Sequence, residues 1–396
     1  MVEPRSSQSW KRTALLFVGH LLNDGFSSFF APLLPLLIDR LDLSLTLAGL
    51  LGTIRIVTNS LLQPGLGHIV DRAQRPGLVI VGPLLTVIAM SLIGRAGSLP
   101  ALLVIMLVAG IGTAFFHPAA ASLVAAEGGR RRGLLMAFFS SGGTLGGAVA
   151  PLAIIGFVEA WSLSATPWLA LVGFAILAGF AIPLWRGLPP NSRASRPKSG
   201  SNPLPGRLVL LWFVIVLAST CSTAFSSFLA VLVVDRGGST FIGAAAISVY
   251  LFAGAAAGFL AGNLSDRLGR KRIIVASQLV ATPFLLLFLF GPKSLLLPAI
   301  ALAGVFGLSS TPVGVVAAQE CVPGRTGLVS GLVMGLAWGV GGVALTPIGW
   351  LADTYGLVRV MGVVALLPLA AAALMLFFPR RTTASMEDPA NAPTVP

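Results

Sequence analysis

Gly-x-x-x-Asp-Arg stands twice in this chain, at Gly67-His68-Ile69-Val70-Asp71-Arg72 and, 195 residues on, at Gly262-Asn263-Leu264-Ser265-Asp266-Arg267. Each copy lies between two long apolar runs, and in a chain of 396 residues the interval is half the length. A repeat of that size marks a duplicated unit, and the apolar runs place the unit in a membrane. The chain is 56% hydrophobic and 10% charged, against roughly 25% charged in a soluble domain. Its mean hydropathy of +0.92 excludes an ordinary globular protein.

Apolar runs of membrane-spanning length fall near 13–38, 45–70, 76–96, 99–126, 133–159, 166–186, 207–235, 240–263, 270–291, 293–318, 325–352 and 357–379. Twelve spans of about 20 residues use most of the chain. The expected fold class is therefore an all-α membrane protein of twelve helices in two pseudo-symmetric bundles of six. The expected division is 1–186, a Pro/Ser/Gly-rich basic linker over 187–206, a second bundle over 207–379 and a polar tail over 380–396. Neither linker nor tail has room for a soluble domain, which argues against a sensor or scaffold. The opening apolar run is too long for a signal-peptide core and reads as a retained first helix.

The halves match beyond the Asp-Arg loops. Phe26-Ser27-Ser28-Phe29 recurs as Phe225-Ser226-Ser227-Phe228, and Asp39-Arg40 as Asp235-Arg236. Ala109-Gly110 with His117-Pro118 matches Ala303-Gly304 with Thr311-Pro312. Glu127 and Arg132 match Glu320 and Arg325, and Pro151 matches Pro347.

A net charge of +13 could suggest nucleic acid, but the placement of the charges argues otherwise. Against these spans, 20 of the 26 lysines and arginines fall in loops on one side, five on the other, and Arg55 lies inside a span. That is the positive-inside bias, so both termini are expected in the cytoplasm of a cell with this chain in its inner membrane. Cys221 and Cys321 form no metal or disulfide pattern, no cofactor or metal is expected, and no catalytic motif appears. Without a nucleotide-binding loop on this chain, transport would run on a gradient.

Gly262-x-Leu264-x-Asp266-Arg267-x-Gly269-Arg270-Lys271 resembles the signature loop between spans 8 and 9 of the major facilitator superfamily. The copy at Gly67–Arg75 resembles the loop between spans 2 and 3, with Gln74 where a glycine is usual and Pro76 where a basic residue is usual. His20-Leu21-Leu22-Asn23-Asp24, Leu62-Gln63-Pro64, Phe116-His117-Pro118 and Gly142-Gly143 through Pro151 are similar to the fosmidomycin-resistance subfamily of exporters. The resemblance implies alternating access around a cavity lined by spans 1, 4, 7 and 10. It also implies an inside gate formed by Asp71, Arg72, Arg75, Asp266, Arg267 and Arg270; Glu127, Arg132, Glu320 and Arg325, which fall on the same side, are expected as partners. The family's antiporter motif has Gly-Pro where this chain has Ala150-Pro151.

Ionisable residues within membrane spans are costly and mark pathways or pairs. Asp24 lies about 16 Å into span 1 and Arg55 about 15 Å into span 2 from the other side, both near the middle of a core about 30 Å thick. Consecutive spans would bring the two within reach. The pair is either a proton carrier with a tuning cation or a permanent ion pair locking two helices. His20, one turn before Asp24, and His117 in span 4 either relay protons or bind an anionic substrate, or they hold helices together by hydrogen bonds. Matching by the repeat turns His20, Asn23 and Asp24 into Ser219, Ser222 and Thr223, Arg55 into Tyr250 and His117 into Thr311. Ion chemistry is thus expected in the N half, with Asn23, Ser27, Ser222, Thr223, Tyr250, Thr311 and Trp338 as cavity candidates. The expected function is proton-coupled antiport exporting a small amphipathic or anionic compound by a monomer. Uptake symport is the alternative.

Overall fold

In a computed structural model of the protein, residues 5–73, 77–127, 132–187, 205–322, 329 and 331–379 are described, with side chains described except at 5–8, 64–73, 126–127, 132–133 and 187. Among the described residues, twelve segments are long and apolar enough to cross a bilayer. In the N half they are α1 (Ser9–Leu41), α2 (Leu45–Gln63), α3 (Leu78–Arg95), α4 (Leu99–Ala125), α5 (Leu134–Ala160) and α6 (Leu163–Arg186). In the C half they are α7 (Gly206–Asp235), α8 (Thr240–Leu268), α9 (Arg270–Phe290), α10 (Lys293–Cys321), α11 (Gly331–Tyr355) and α12 (Leu357–Leu376). Strands are absent among the described residues. Hydrocarbon offers the backbone no partner, so a spanning run must bond internally as helix. Proline is accommodated inside α3, α4, α5, α6, α9 and α10. In α11 the backbone widens to a π-helical stretch over Gly331–Ala337. There Trp212 Nε1 donates to the Leu332 carbonyl at 3.1 Å and Ser219 Oγ to the Ala337 carbonyl at 3.1 Å.

The packing repeats as the sequence does. In the N half α1 packs on α5, and α4 on both α2 and α3; in the C half α7 packs on α11, and α10 on both α8 and α9. A Cβ at Gly110 would stand 2.8 Å from the Arg55 carbonyl oxygen, and one at Gly304 would stand 2.3 Å from that of Tyr250. Glycine at both positions lets α4 and α10 touch the backbone of α2 and α8 at corresponding points. The arginine of the matching Asp39-Arg40 and Asp235-Arg236 pairs also has one job in both halves. Arg40 donates to the Gly94 carbonyl at the end of α3, while Arg236 donates to the carbonyls of Phe288 and Gly291 at the end of α9. A cation there meets carbonyls that a helix C-terminus leaves unbonded.

The halves join through α2 against α11 and α5 against α8. At the first crossing a Cβ on Gly49 would stand 2.2 Å from the Leu345 oxygen, and one on Gly349 would stand 2.1 Å from the Leu45 oxygen. Asp353 accepts from the backbone N–H of Leu45 at 2.7 Å and of Thr46 at 2.8 Å, capping α2 from the other half. Thr53 Oγ1 donates to the Gly342 carbonyl at 2.8 Å and lies 2.9 Å from Thr346 Oγ1.

The buried apolar residues show which end is closed. One continuous cluster runs from the N half into the end of the C half that carries Leu232, Leu289, Ile300 and Leu357. A separate cluster, confined to the C half, holds Leu208, Leu211, Ile273, Ala317 and Met375. That second cluster lies at the end bearing Arg207, Arg270 and Lys271. Among the described residues, the halves share a core at the end opposite these basic residues.

Gly349→Ala should push α11 off α2. Overpacking of this kind costs about 1–3 kcal/mol, so the melting temperature of the purified protein should fall. Disulfide formation between Thr53→Cys and Thr346→Cys should fall with it. Unchanged melting and cross-linking would contradict the crossing described.

Candidate functional site

The site is built where α1, α3, α4 and α5 meet. The glycines of α5 let α1 close on it: a Cβ on Gly146 would stand 2.3 Å from the Leu21 oxygen. One on Gly143 would stand 2.3 Å from His20 Nε2 and 2.7 Å from Asp24 Oδ2. Gly143 is therefore part of the site's shape and more than a packing position.

Asp24 Oδ1 lies 3.0 Å from His117 Nε2 and accepts from Asn23 Nδ2 at 2.9 Å. Asp24 Oδ2 lies 3.2 Å from His20 Nε2. On its other side His20 Nδ1 lies 2.9 Å from the Phe139 carbonyl, and its ring stacks on that of Phe139 at 4.4 Å. Asn23 is buried; its Oδ1 accepts from Thr86 Oγ1 at 3.0 Å, which turns its amide hydrogens toward Asp24. His20 and Asn23 are buried, whereas the Asp24 and His117 side chains are 27% and 28% exposed. The carboxylate is thus partly exposed while His20 and Asn23 are packed behind it.

The hydrogen inventory constrains this cluster. A carbonyl only accepts, so His20 Nδ1 carries a hydrogen toward Phe139. His20 Nε2 then faces Asp24 Oδ2, and the contact requires a proton on the ring or on the carboxyl. Two lone pairs would otherwise oppose each other in a poorly solvated site. The donor atoms of His20, Asp24 and His117 lie within 4.8 Å of one another and could hold a metal ion. An ion would use the lone pairs that now share protons, so cation and proton would compete.

Arg55 does not pair directly with Asp24. Its Nη1 donates to Ser27 Oγ at 3.0 Å, and its Nε is buried without a partner. The physical reason lies in the packing, since α2 runs along α4 and α11 whereas α1 runs along α3, α4, α5 and α6. Consecutive spans are therefore not the closest partners. Of the remaining cavity candidates, Ser222, Thr223 and Thr311 are partly exposed and Trp338 is exposed, while Ser27 is buried. Tyr250 is 2% exposed and belongs to the core, because Gly304 brings α10 onto its backbone.

At the basic end Arg270 pairs with Asp266 at 2.5 Å and reaches Glu320 at 3.4 Å, tying α8, α9 and α10 together within the C half. The Arg267 side chain is exposed. Arg75 and Arg325 lie outside the described residues, as do the side chains of Asp71, Arg72, Glu127 and Arg132. Sequence reasoning did not single out Thr86 or Phe139. Neither has a local signal, since each acts through contacts that only the packing of α3 and α5 on α1 creates.

Two matched bundles of six apolar helices that share a core at one end, with a titratable cluster inside the first, have the build of a membrane transport protein. The chain belongs to the Major Facilitator Superfamily, whose profile matches residues 16–342 and 211–395. It is 30% identical over 370 residues to the fosmidomycin resistance protein of Escherichia coli (strain K12), covering 91% of each chain. It is 29% identical over 368 residues to an uncharacterized MFS-type transporter, YfnC, of Bacillus subtilis (strain 168), covering 90% of each. Among solved structures, a bacterial homolog of the human lysosomal transporter Spinster, inward-facing and occupied, superposes with a TM-score of 0.79 at 16% identity, over 95% of this chain and 97% of that one. The nucleoside transporter NupG superposes with a TM-score of 0.73 at 15% identity, over 93% and 100%. The expected fold, family and absence of enzymatic identity agree with these findings.

Gly143→Ala should displace His20 and Asp24, and transport should fall by about tenfold or more, as expected for a buried charged site. Gly147→Ala, whose added methyl would lie 3.5 Å from Ser28 Oγ, should transport within about twofold of wild type, being ordinary contact. Equal activity of the two variants would remove Gly143 from the site.

Proposed function

We propose that this chain is a proton-coupled exporter of a small amphipathic or anionic compound, working by alternating access. On this reading it sits in the inner membrane with the basic end and both termini in the cytoplasm, following the positive-inside bias. The observation that carries the proton role is the hydrogen inventory of His20, Asp24 and His117, which needs a shared proton at a partly exposed carboxylate. A proton can be lost from such a cluster only when water reaches it. The core that the halves share beside the α2–α11 crossing fits access from one side at a time.

In this scheme Asp24 is the proton carrier. His20 and His117 share the proton with it, and Asn23 and Thr86 fix its orientation. Arg55, bonded from α2 to Ser27, adds positive potential beside Asp24. Asp71, Arg72, Arg75, Glu127, Arg132, Asp266, Arg267, Arg270, Glu320 and Arg325 form the cytoplasmic latch. The two six-helix units, joined by the 187–206 linker, rock as bodies about the cavity. Export as the direction draws on the relative named for fosmidomycin resistance.

The test is transport into proteoliposomes under an imposed pH gradient, with fosmidomycin as the first probe. Asp24→Asn keeps the size of the side chain but cannot ionise. Its concentrative transport should fall by about tenfold or more, since the coupling proton has no carrier, and the remaining flux should no longer follow the gradient. A variant that still concentrates the probe with wild-type pH dependence refutes the role given to Asp24.

A further inference from the structure

His20 and Asp24 stand four residues apart on α1, so their side chains leave one face of the helix. His117 reaches the same point from α4, 93 residues on from Asp24. No single stretch of sequence carries a metal pattern, because the ligand atoms come from two helices. Their spacing in the fold is nonetheless that of a coordination shell. His117 Nε2 lies 3.0 Å from Asp24 Oδ1, and His20 Nε2 lies 3.2 Å from Asp24 Oδ2. One donor atom from each of the three residues lies within 4.8 Å of the others. A tetrahedral ion with bonds of about 2.0–2.2 Å spaces its ligand atoms about 3.3–3.6 Å apart.

The surroundings support the same reading. A histidine that binds metal through one ring nitrogen is oriented by a hydrogen bond from the other. His20 Nδ1 donates to the Phe139 carbonyl at 2.9 Å, which turns Nε2 into the cluster. The carboxylate has its own support: Asn23 Nδ2 donates to Asp24 Oδ1 at 2.9 Å, and Thr86 fixes Asn23. Gly143 supplies the room, since a Cβ there would stand 2.3 Å from His20 Nε2 and 2.7 Å from Asp24 Oδ2, against the two atoms that would hold the ion. The side chains of Asp24 and His117 are 27% and 28% exposed, so an ion can enter and water can complete its shell.

Two imidazoles and one carboxylate also select among ions. Magnesium and calcium take oxygen ligands, whereas a set of two nitrogens and one oxygen suits divalent zinc, cobalt or nickel. Charge limits how tightly such an ion is held. Two neutral imidazoles, one carboxylate and a dication leave one positive charge. Arg55 adds another nearby, bonded to Ser27 three residues beyond Asp24. The two repel, which favours an exchangeable ion over a permanent one.

We infer that His20, Asp24 and His117 bind one divalent transition-metal ion of the zinc class, with water as the remaining ligand, in place of the shared proton. Ion and proton use the same lone pairs. A bound ion therefore halts proton-coupled transport, a consequence that rests on the reading of Asp24 as proton carrier. The site itself does not rest on that reading.

The test is titration of the purified full-length protein, free of any polyhistidine tag and stripped with a chelator, with Co²⁺ in neutral detergent. Wild type should take up one equivalent and show the visible bands of a four- or five-coordinate centre. The thiolate charge-transfer band that Cys221 or Cys321 would add should be missing. Zn²⁺ should displace the cobalt, and Mg²⁺ should not. His20→Gln and His117→Gln should each weaken binding by about tenfold or more, at least the loss that follows removal of a supporting group. Arg55→Gln, which removes the repelling cation, should tighten it by several-fold. His68→Gln, outside the cluster, should bind as wild type does. If His20→Gln shows no cooperative melting, His117→Gln and Arg55→Gln decide the matter. Wild type without stoichiometric uptake, or all the variants binding alike as at an adventitious surface site, overturns the inference. No gradient is present, so failure here is distinct from failure of Asp24→Asn in the transport assay.

Discussion

A carboxylate in the interior of an apolar bundle is tolerated only when N–H donors surround it. For Asp24 those donors come from its own helix, through His20 and Asn23, and from α4, through His117. Each donor then needs its own support. His20 takes the Phe139 carbonyl of α5, and Asn23 takes the Thr86 hydroxyl of α3. The demand of one carboxylate thus fixes the relative placement of four helices. The glycines of α5 are what allow α1 to come near enough to meet it.

The two halves keep the same scaffold and differ in what they place on it. Gly110 against Arg55 and Gly304 against Tyr250 are one backbone contact built twice, and Arg40 and Arg236 serve corresponding helix ends. At the level of side chains, the cation on α2 corresponds to a buried phenol on α8. Such a division suits a two-bundle carrier, in which the scaffold must move as matched bodies while the chemistry can be concentrated in one of them.

Much of this was legible in the sequence because a bilayer imposes one length on every span. The run read at 99–126 became α4 at Leu99–Ala125, and the one at 45–70 became a helix over Leu45–Ala73. Intramembrane charge is expensive enough that His20, Asp24, Arg55 and His117 stood out as the short set of residues worth explaining. What sequence could not supply was the neighbour relation. Asp24 and Arg55 lie on consecutive spans, yet α2 packs beside α4 and α11, so the expected ion pair gave way to Arg55 on Ser27. Phe139 and Thr86 act through a carbonyl and a hydroxyl that any helix might carry, and only the fold turns them toward the site. Tyr250 read as wall by the repeat, but the close approach at Gly304 takes it into the core.

The confinement of mid-depth charge to the N half has an electrical consequence. A membrane potential acts on charge that changes depth, with about 2.3 kcal/mol for one elementary charge crossing 100 mV. Among the described residues, the C half has no Asp, Glu, Lys, Arg or His at the depth of Asp24 and Arg55, so the charge that the field can act on at that depth lies in one bundle. Any voltage dependence of the cycle therefore enters through the N half, and the balance of charge held there sets its sign.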